Sequence, residues 1–444
     1  MFVAAAVLAV FLVMAVLMYL NRLPALIALP IMAIAIGLVA RVPWRDLVTI
    51  ISAGSIRLHL WYTTAILGAI LAEIVSKTGV AEKLVKTAAE LGGDRPLPLA
   101  LLLTLVVALL FTTMGGLGAV IMVATIVFPA LLALGVPQMA VAGLFLLGMS
   151  LGGILNLTNW QFYITELKLP TSVVLSFALP MVGVMALATV VFALVELRPS
   201  QMRKYWAQPQ ARVPAPPVPG EGGGPVGPPR WYALLTPVIP LVPVVGFGVH
   251  KLVVGPKAGF DFPVITAMVI GITYGLLTAR RPQQGRVQLL ARSAIDGIGS
   301  VAPAVALMIG IGMLLQAVQH DNVVTHVQPL LQSVLPATPL RYVLIFAVLA
   351  PLALYRGPLN LYGMGSGIAK MMAAFKPLGG DGVMSALMSV GQLQGVCDPT
   401  NTHNVWIASY LGVDVQHILR RTLIYVWPAA VVGLVVGGVM FVGR

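Results

Sequence analysis

Charge and cysteine are what this chain has least of. Charged residues make up 9% of 444 positions, and the single cysteine is Cys397. So few charges cannot cover a water-soluble surface of this size. One cysteine excludes an intrachain disulfide framework, and no Cys/His cluster has the spacing of a zinc or iron–sulfur site. No glycine-rich loop of the phosphate-cradling kind is present, which excludes ATP-driven work by this chain alone. No cofactor and no enzymatic activity are expected. The first twenty residues lack a basic leading region and a small-residue cleavage site, so they read as a helix and not a signal peptide.

What is present is apolar: 59% of residues are hydrophobic. That composition predicts an all-α polytopic membrane protein, multi-pass in the inner (cytoplasmic) membrane. The formal charge of +13 comes from Lys and Arg scattered through loops without interleaved aromatics. It reads as orienting charge, with the lipid bilayer and not nucleic acid as partner. Ten segments of spanning length occur, near 3–20, 25–40, 60–76, 138–164, 173–195, 232–250, 262–278, 295–318, 382–407 and 424–442. Two more apolar stretches, about 97–134 and 340–375, are interrupted by Thr112-Thr113-Met114-Gly115-Gly116 and by Tyr355-Arg356-Gly357-Pro358-Leu359-Asn360. Their arms fall short of the roughly 20 residues a span needs, which predicts re-entrant hairpins. The segments near 80–93 and 322–334 are too short and polar to span and read as interfacial helices.

A Pro/Gly-rich linker over 196–231 divides a first half, 1–195, from a second, 232–444. The halves read as repeats. Gly68 and Gly310, Gly115 and Gly357, Gly153 and Gly395, Thr158 and Thr400, and Asn159 and Asn401 all lie 242 positions apart. With the basic linker taken as cytoplasmic, five spans and one hairpin per half place the halves in opposite orientations, since five is odd and a hairpin changes no side. Lys and Arg are absent from 319–340, which this topology puts outside. Arg41, Arg45, Arg57, Lys168, Lys251 and Lys257 run against it.

Two polar runs interrupt apolar spans at matching places. Asn156-Leu157-Thr158-Asn159 breaks 138–164, and Asp398-Pro399-Thr400-Asn401-Thr402-His403 breaks 382–407. Proline and competing side chains unwind a membrane helix there, and unwound backbone at membrane depth marks binding sites. Asn156, Thr158, Asn159, Thr400, Asn401 and Thr402 supply oxygens for a hard cation or hydrogen bonds for a hydroxylated substrate. Alternatively they satisfy the unwound backbone. Gly115, Gly116 and Gly357 let amides approach a ligand or let helices pack closely. Arg356 stands where the first half has Met114. An intramembrane guanidinium, at an insertion cost of about 2.5–3.5 kcal/mol, is normally paired or functional. Its partner is a substrate carboxylate or, internally, Asp398. Asp398, in the place of Asn156, is the acid available to couple a proton or ligate sodium, and His403 could share the proton. A bound sodium ion would sit near Asn159, Asp398 and Asn401. Glu73, Glu166 and Asp296 take structural roles on this reading.

This pattern of two inverted halves, each with a re-entrant hairpin and an Asn/Thr-bearing broken helix, resembles the ion transporter superfamily of secondary carriers. Gluconate and citrate permeases and divalent-anion/sodium symporters are among them. The resemblance rests on Asn156-Leu157-Thr158-Asn159, on Asp398-Pro399-Thr400-Asn401-Thr402 and on the architecture. The hairpin tips lack the Ser-Asn-Thr signatures of the divalent-anion branch. The resemblance implies a homodimer, a fixed scaffold and an elevator-like moving unit that transports a small organic anion with H+ or Na+. A cation/proton antiporter of the same architecture, and a channel or membrane subunit of a complex, remain as alternatives.

Overall fold

The computed structural model describes residues 2–20, 22–198, 228–255, 260–280 and 285–443. Most of the expected linker, 199–227, therefore lies outside the described residues, as do Lys257 and Arg281. The first half runs α1 Phe2–Tyr19, α2 Ala25–Val39, α3 Trp44–Arg57, α4 His59–Lys77, α5 Val80–Gly92, α6 Pro96–Phe111, α7 Leu117–Ala133, α8 Gln138–Ile154, α9 Leu157–Glu166 and α10 Thr171–Glu196. After a 3-10 turn at Trp231–Leu235, the second runs α11 Leu241–Val254, α12 Val264–Thr278, α13 Arg286–Val318, α14 Asp321–Val334, α15 Pro339–Leu349, α16 Gly365–Ala373, α17 Gly379–Cys397, α18 Thr402–Leu411 and α19 Val415–Phe441. No strand occurs among the described residues. The fold is all-α and polytopic.

Element order repeats between the halves, and equivalent elements pack on one another: α4 against α13, α8 against α17, α10 against α19. Self-pairing of equivalents is what a two-fold axis between repeats produces. Four stretches of the described residues are long and apolar enough to cross a membrane: Trp44–Lys77, Thr171–Glu196, Arg286–Val318 and Val415–Phe441. The bent pair α8–α9 makes a fifth. Large apolar side chains face outward on several helices, among them Leu12, Leu187 and Val439, each 66% exposed. Such a surface suits lipid and not water.

Four sequence expectations shift. The segment 44–57, which lies between the expected spans 25–40 and 60–76, is helical and runs on into α4, and α13 begins at Arg286, not near 295. Amphipathic turns at the start of each long helix masked both. The second hairpin is not two apolar arms. An 11-residue helix and a 3-10 turn lead into irregular backbone before the 9-residue α16. The segment expected to span 232–250 starts as a 3-10 turn and is regular α-helix only from Leu241, where Pro237 and Pro240 are past.

Two helix groups emerge from the packing. One gathers α2, α3, α4, α12 and α13; the other gathers α6, α8, α10, α17 and α19. The hairpins and broken helices join them, α7 and α9 against α4 and α16 against α13.

Candidate functional site

Each break is built by an Asx side chain. Asn156 is extended, with ψ 120, and its Oδ1 accepts from the Thr158 amide at 2.9 Å, capping α9. Its Nδ2 donates to the carbonyls of Phe111 and Met114 in the first hairpin, at 2.8 and 3.1 Å. Asp398 is extended as well, with ψ 112, which the following Pro399 imposes. Its Oδ1 accepts from the Thr400 amide at 2.9 Å and from the Thr400 hydroxyl at 2.6 Å, while Oδ2 accepts from Asn360 Nδ2 at 3.3 Å. Both breaks thus share the Asx cap, but their ties to the hairpins have opposite polarity: Asn156 donates to hairpin carbonyls, and Asp398 accepts from the Asn360 side chain.

The freed carbonyls at the ends of α8 and α17 find side-chain donors. Asn159 Nδ2 donates to Gly153 O at 2.9 Å and Trp160 Nε1 to Ile154 O at 2.7 Å. Asn401 Nδ2 donates to Gln394 O at 2.5 Å, and Asn404 Nδ2 to Val396 O and Asp398 O at 3.1 and 2.9 Å. The amide N–H groups therefore do serve the unwound backbone. Their oxygens are differently placed. Asn159 Oδ1 accepts from the Tyr362 hydroxyl at 2.6 Å, and Asn404 Oδ1 is buried with no partner among the described residues.

Both hairpin tips and both breaks converge on one cavity of about 660 Å³. Gly115, Gly116, Asn156, Thr158, Asn159, Arg356, Asn401, Thr402 and His403 all line it. Gly357, Asp398 and Thr400 do not. Asp398 is fully buried, its carboxylate turned to Asn360 and Thr400. At Gly357 a Cβ would overlap the Leu352 carbonyl, so this glycine serves close backbone approach. Gly116 has φ +88 at the first tip, a conformation that a side chain would strain.

The second tip is the more strained. Tyr355 and Arg356 hold φ of 54 and 58, a region non-glycine residues seldom occupy. That pair aims the half-buried Arg356 at the cavity, where Nη1 donates to Tyr362 O at 3.2 Å. No ion pair joins Arg356 to Asp398, or to any other described carboxylate. The direct ion pair that the sequence left open is not formed, although Asp398 stands near enough for the two charges to attract. His403 lines the wall with Nε2 3.4 Å from Gly395 O.

Residue-by-residue reading missed part of the wall. Ser150, Gln392, Gln394, Ser300, Tyr163 and Tyr362 all line the cavity. Gln392 and Gln394 carried a signal, since polar side chains inside an apolar span are costly unless used. The tyrosines carried none, because an aromatic in a membrane helix is ordinarily packing.

Charged groups expected to be structural are paired. Arg57 donates from Nε and Nη2 to Glu166 Oε2 at 3.3 and 3.2 Å, and its guanidinium also reaches Gln316 Oε1 at 2.7 Å and Gln319 Oε1 at 2.8 Å. Lys370 of α16 approaches the same Oε2 at 3.4 Å. Glu73 and Asp296 share Lys77, at 3.3 and 2.5 Å. Among the described residues no group of His, Cys, Asp and Glu is arranged to hold a metal ion.

No family model and no curated protein matches the chain. Among solved structures, the Alcanivorax borkumensis YdaH transporter, described as having an unusual topology, aligns with a TM-score of 0.53 and 16% identity over 86% of this chain and 87% of that one. Neisseria gonorrhoeae MtrF, described as illuminating a class of antimetabolite efflux pumps, aligns with a TM-score of 0.43 and 14% identity over 87% and 83%. At such identities the likeness to YdaH concerns the fold: this chain has an all-α, multi-pass membrane architecture similar to that of a known transporter.

Proposed function

We propose that this chain is a secondary active transporter of a small organic anion, a carboxylate or sugar acid, coupled to H+ or Na+. One observation carries the reading. Arg356, without a carboxylate partner among the described residues, faces a cavity where both hairpin tips and both helix breaks meet. A guanidinium held at membrane depth with part of its fork unused matches a carboxylate in geometry and in charge. The fold likeness to a transporter supports the reading at the level of architecture.

In this proposal Arg356 binds the carboxylate, while Asn159, Thr158 and His403 contact the rest of the anion. Asp398 carries the coupling proton, or contributes to a sodium site with Asn401 and Asn159. Because it stands off the cavity wall, it would act through the break and Asn360, not by touching substrate. The α2–α4 and α12–α13 group is the scaffold of an elevator, against which hairpins and broken helices move. The assembly is a homodimer in the inner membrane. The antiporter alternative takes Arg356 as resting counter-ion of Asp398; no direct ion pair joins the two, and the Asp398 charge acts on Arg356 from beyond contact distance.

Uptake into proteoliposomes tests the proposal. Organic acids are offered under imposed pH or sodium gradients, and a transported acid must accumulate against its own gradient. If Arg356→Ala takes up that acid with unchanged KM and rate, the assignment is wrong.

A further inference from the structure

A second cavity, of about 410 Å³, lies away from the site, between the 3-10 turn Trp231–Leu235, the end of α12 and the start of α13. Three arginines line it, Arg230, Arg280 and Arg286, together with Tyr232 and Thr278. Each spends a single hydrogen bond on a neutral oxygen: Arg230 Nη1 on the Tyr232 hydroxyl at 2.6 Å, Arg280 Nη1 on Pro228 O at 3.2 Å, Arg286 Nη2 on Leu277 O at 3.3 Å. None has an ion-pair partner among the described residues. Three like charges around one hollow repel unless an anion sits among them. The start of α13 adds to the positive field, having neither a side-chain cap nor an acid in its first turn.

We propose that this pocket binds a phosphate group, and that the group belongs to an anionic membrane lipid. The chemistry of three guanidinium forks is that of phosphate recognition. The rim indicates the source. Trp231, Leu277 and Val287 are 77%, 61% and 84% exposed beside the arginines. An exposed tryptophan next to clustered arginines is the arrangement of a membrane–water interface, where acyl chains meet apolar side chains and the headgroup meets charge. The volume lies within the range of about 300–1,000 Å³ typical of small-ligand sites.

The test uses the full chain in a zwitterionic detergent, melted during titration with phosphatidylglycerol, with phosphatidylcholine, or with inorganic phosphate. Phosphatidylglycerol is expected to raise the Tm and phosphatidylcholine to leave it unchanged. The double variant Arg280→Gln/Arg286→Gln should weaken the apparent affinity at least tenfold, with its lipid-free Tm unaltered. Arg341→Gln/Arg420→Gln, equal in charge removed and carried by α15 and α19, which pack on each other, should bind as the wild type. Should the double variant fail to fold, Arg230→Gln, outside the helices, must weaken binding by itself. Wild-type affinity in the arginine variants overturns the proposal. An equal shift from inorganic phosphate alone overturns the lipid source and leaves a soluble phosphate ester as the ligand. Because no readout involves transport, failure here is distinguishable from failure of the carrier assignment.

Discussion

The Ser150 hydroxyl donates to Gln392 Oε1 at 2.5 Å, and the two residues stand 242 positions apart. That separation is the repeat offset relating Thr158 to Thr400 and Asn159 to Asn401. A residue can touch its own equivalent only beside the symmetry axis, so the axis relating the halves passes between Ser150 and Gln392. Both residues line the cavity, which therefore lies where the two halves meet.

Breaking that contact should weaken the join between the halves. Ser150→Ala leaves the Gln392 amide oxygen short of a donor and should cost about 0.6 kcal/mol, the average for hydrogen bonds between membrane helices. Ser150→Ala/Gln392→Leu should cost less than the sum of the single changes. Chemical or thermal unfolding in detergent reads the coupling, and strict additivity would argue against the contact.

Arg356→Lys tests whether a fork or merely a charge is required. A lysine keeps the charge and loses bidentate geometry. The KM for the transported acid is expected to rise tenfold or more with the Tm preserved, whereas Arg356→Ala should abolish uptake.

Asp398→Asn is the sharpest test of coupling, because Asn156 already performs the capping role with a neutral amide. The variant is expected to fold and to exchange labelled for unlabelled substrate at near wild-type rate. Accumulation driven by a pH or sodium gradient should disappear. Undiminished gradient-driven accumulation would remove Asp398 from the coupling step.

Glu166→Ala should be costly, since it strips the carboxylate from both Arg57 and Lys370. Removing one partner of a mostly buried pair costs about 3–5 kcal/mol, and the 17% exposed Arg57 points to the lower end. A fall in Tm measures it. Glu82→Gln, which touches only the exposed Lys86, should leave the Tm unchanged.

Gly357→Ala separates packing from binding. A Cβ there meets the carbonyls of Leu352 and Leu354, so the expected result is poor folding or a lowered Tm. A folded variant with an altered KM alone would restore Gly357 to the binding site.

Much of the architecture was legible in the sequence because its causes are local. Runs of apolar residues set the helices, but length does not separate spans from hairpin arms: α2, α11 and α12, at 15, 14 and 15 residues, are no longer than the arms α6 and α7 at 16 and 17. Asn156 and the pair Asp398-Pro399 announced the breaks, since Asx caps and pre-proline backbone act over two or three residues. The repeat offset, read from identical residues, anticipated which elements would face each other.

Where each side chain is aimed depended on contacts from far along the chain, and only the tertiary structure decided it. Asp398 looked like a residue of the cavity, yet Asn360, 38 positions away, holds its carboxylate off the wall. Arg57 ran against the charge topology, and the structure gives it a place at the end of α3 with Glu166, 109 positions on, as its partner. Arg356 was free to pair with Asp398 or to face a ligand. Two consecutive left-handed residues at the tip aimed it at the cavity, a choice of backbone conformation that packing imposes and local propensity opposes.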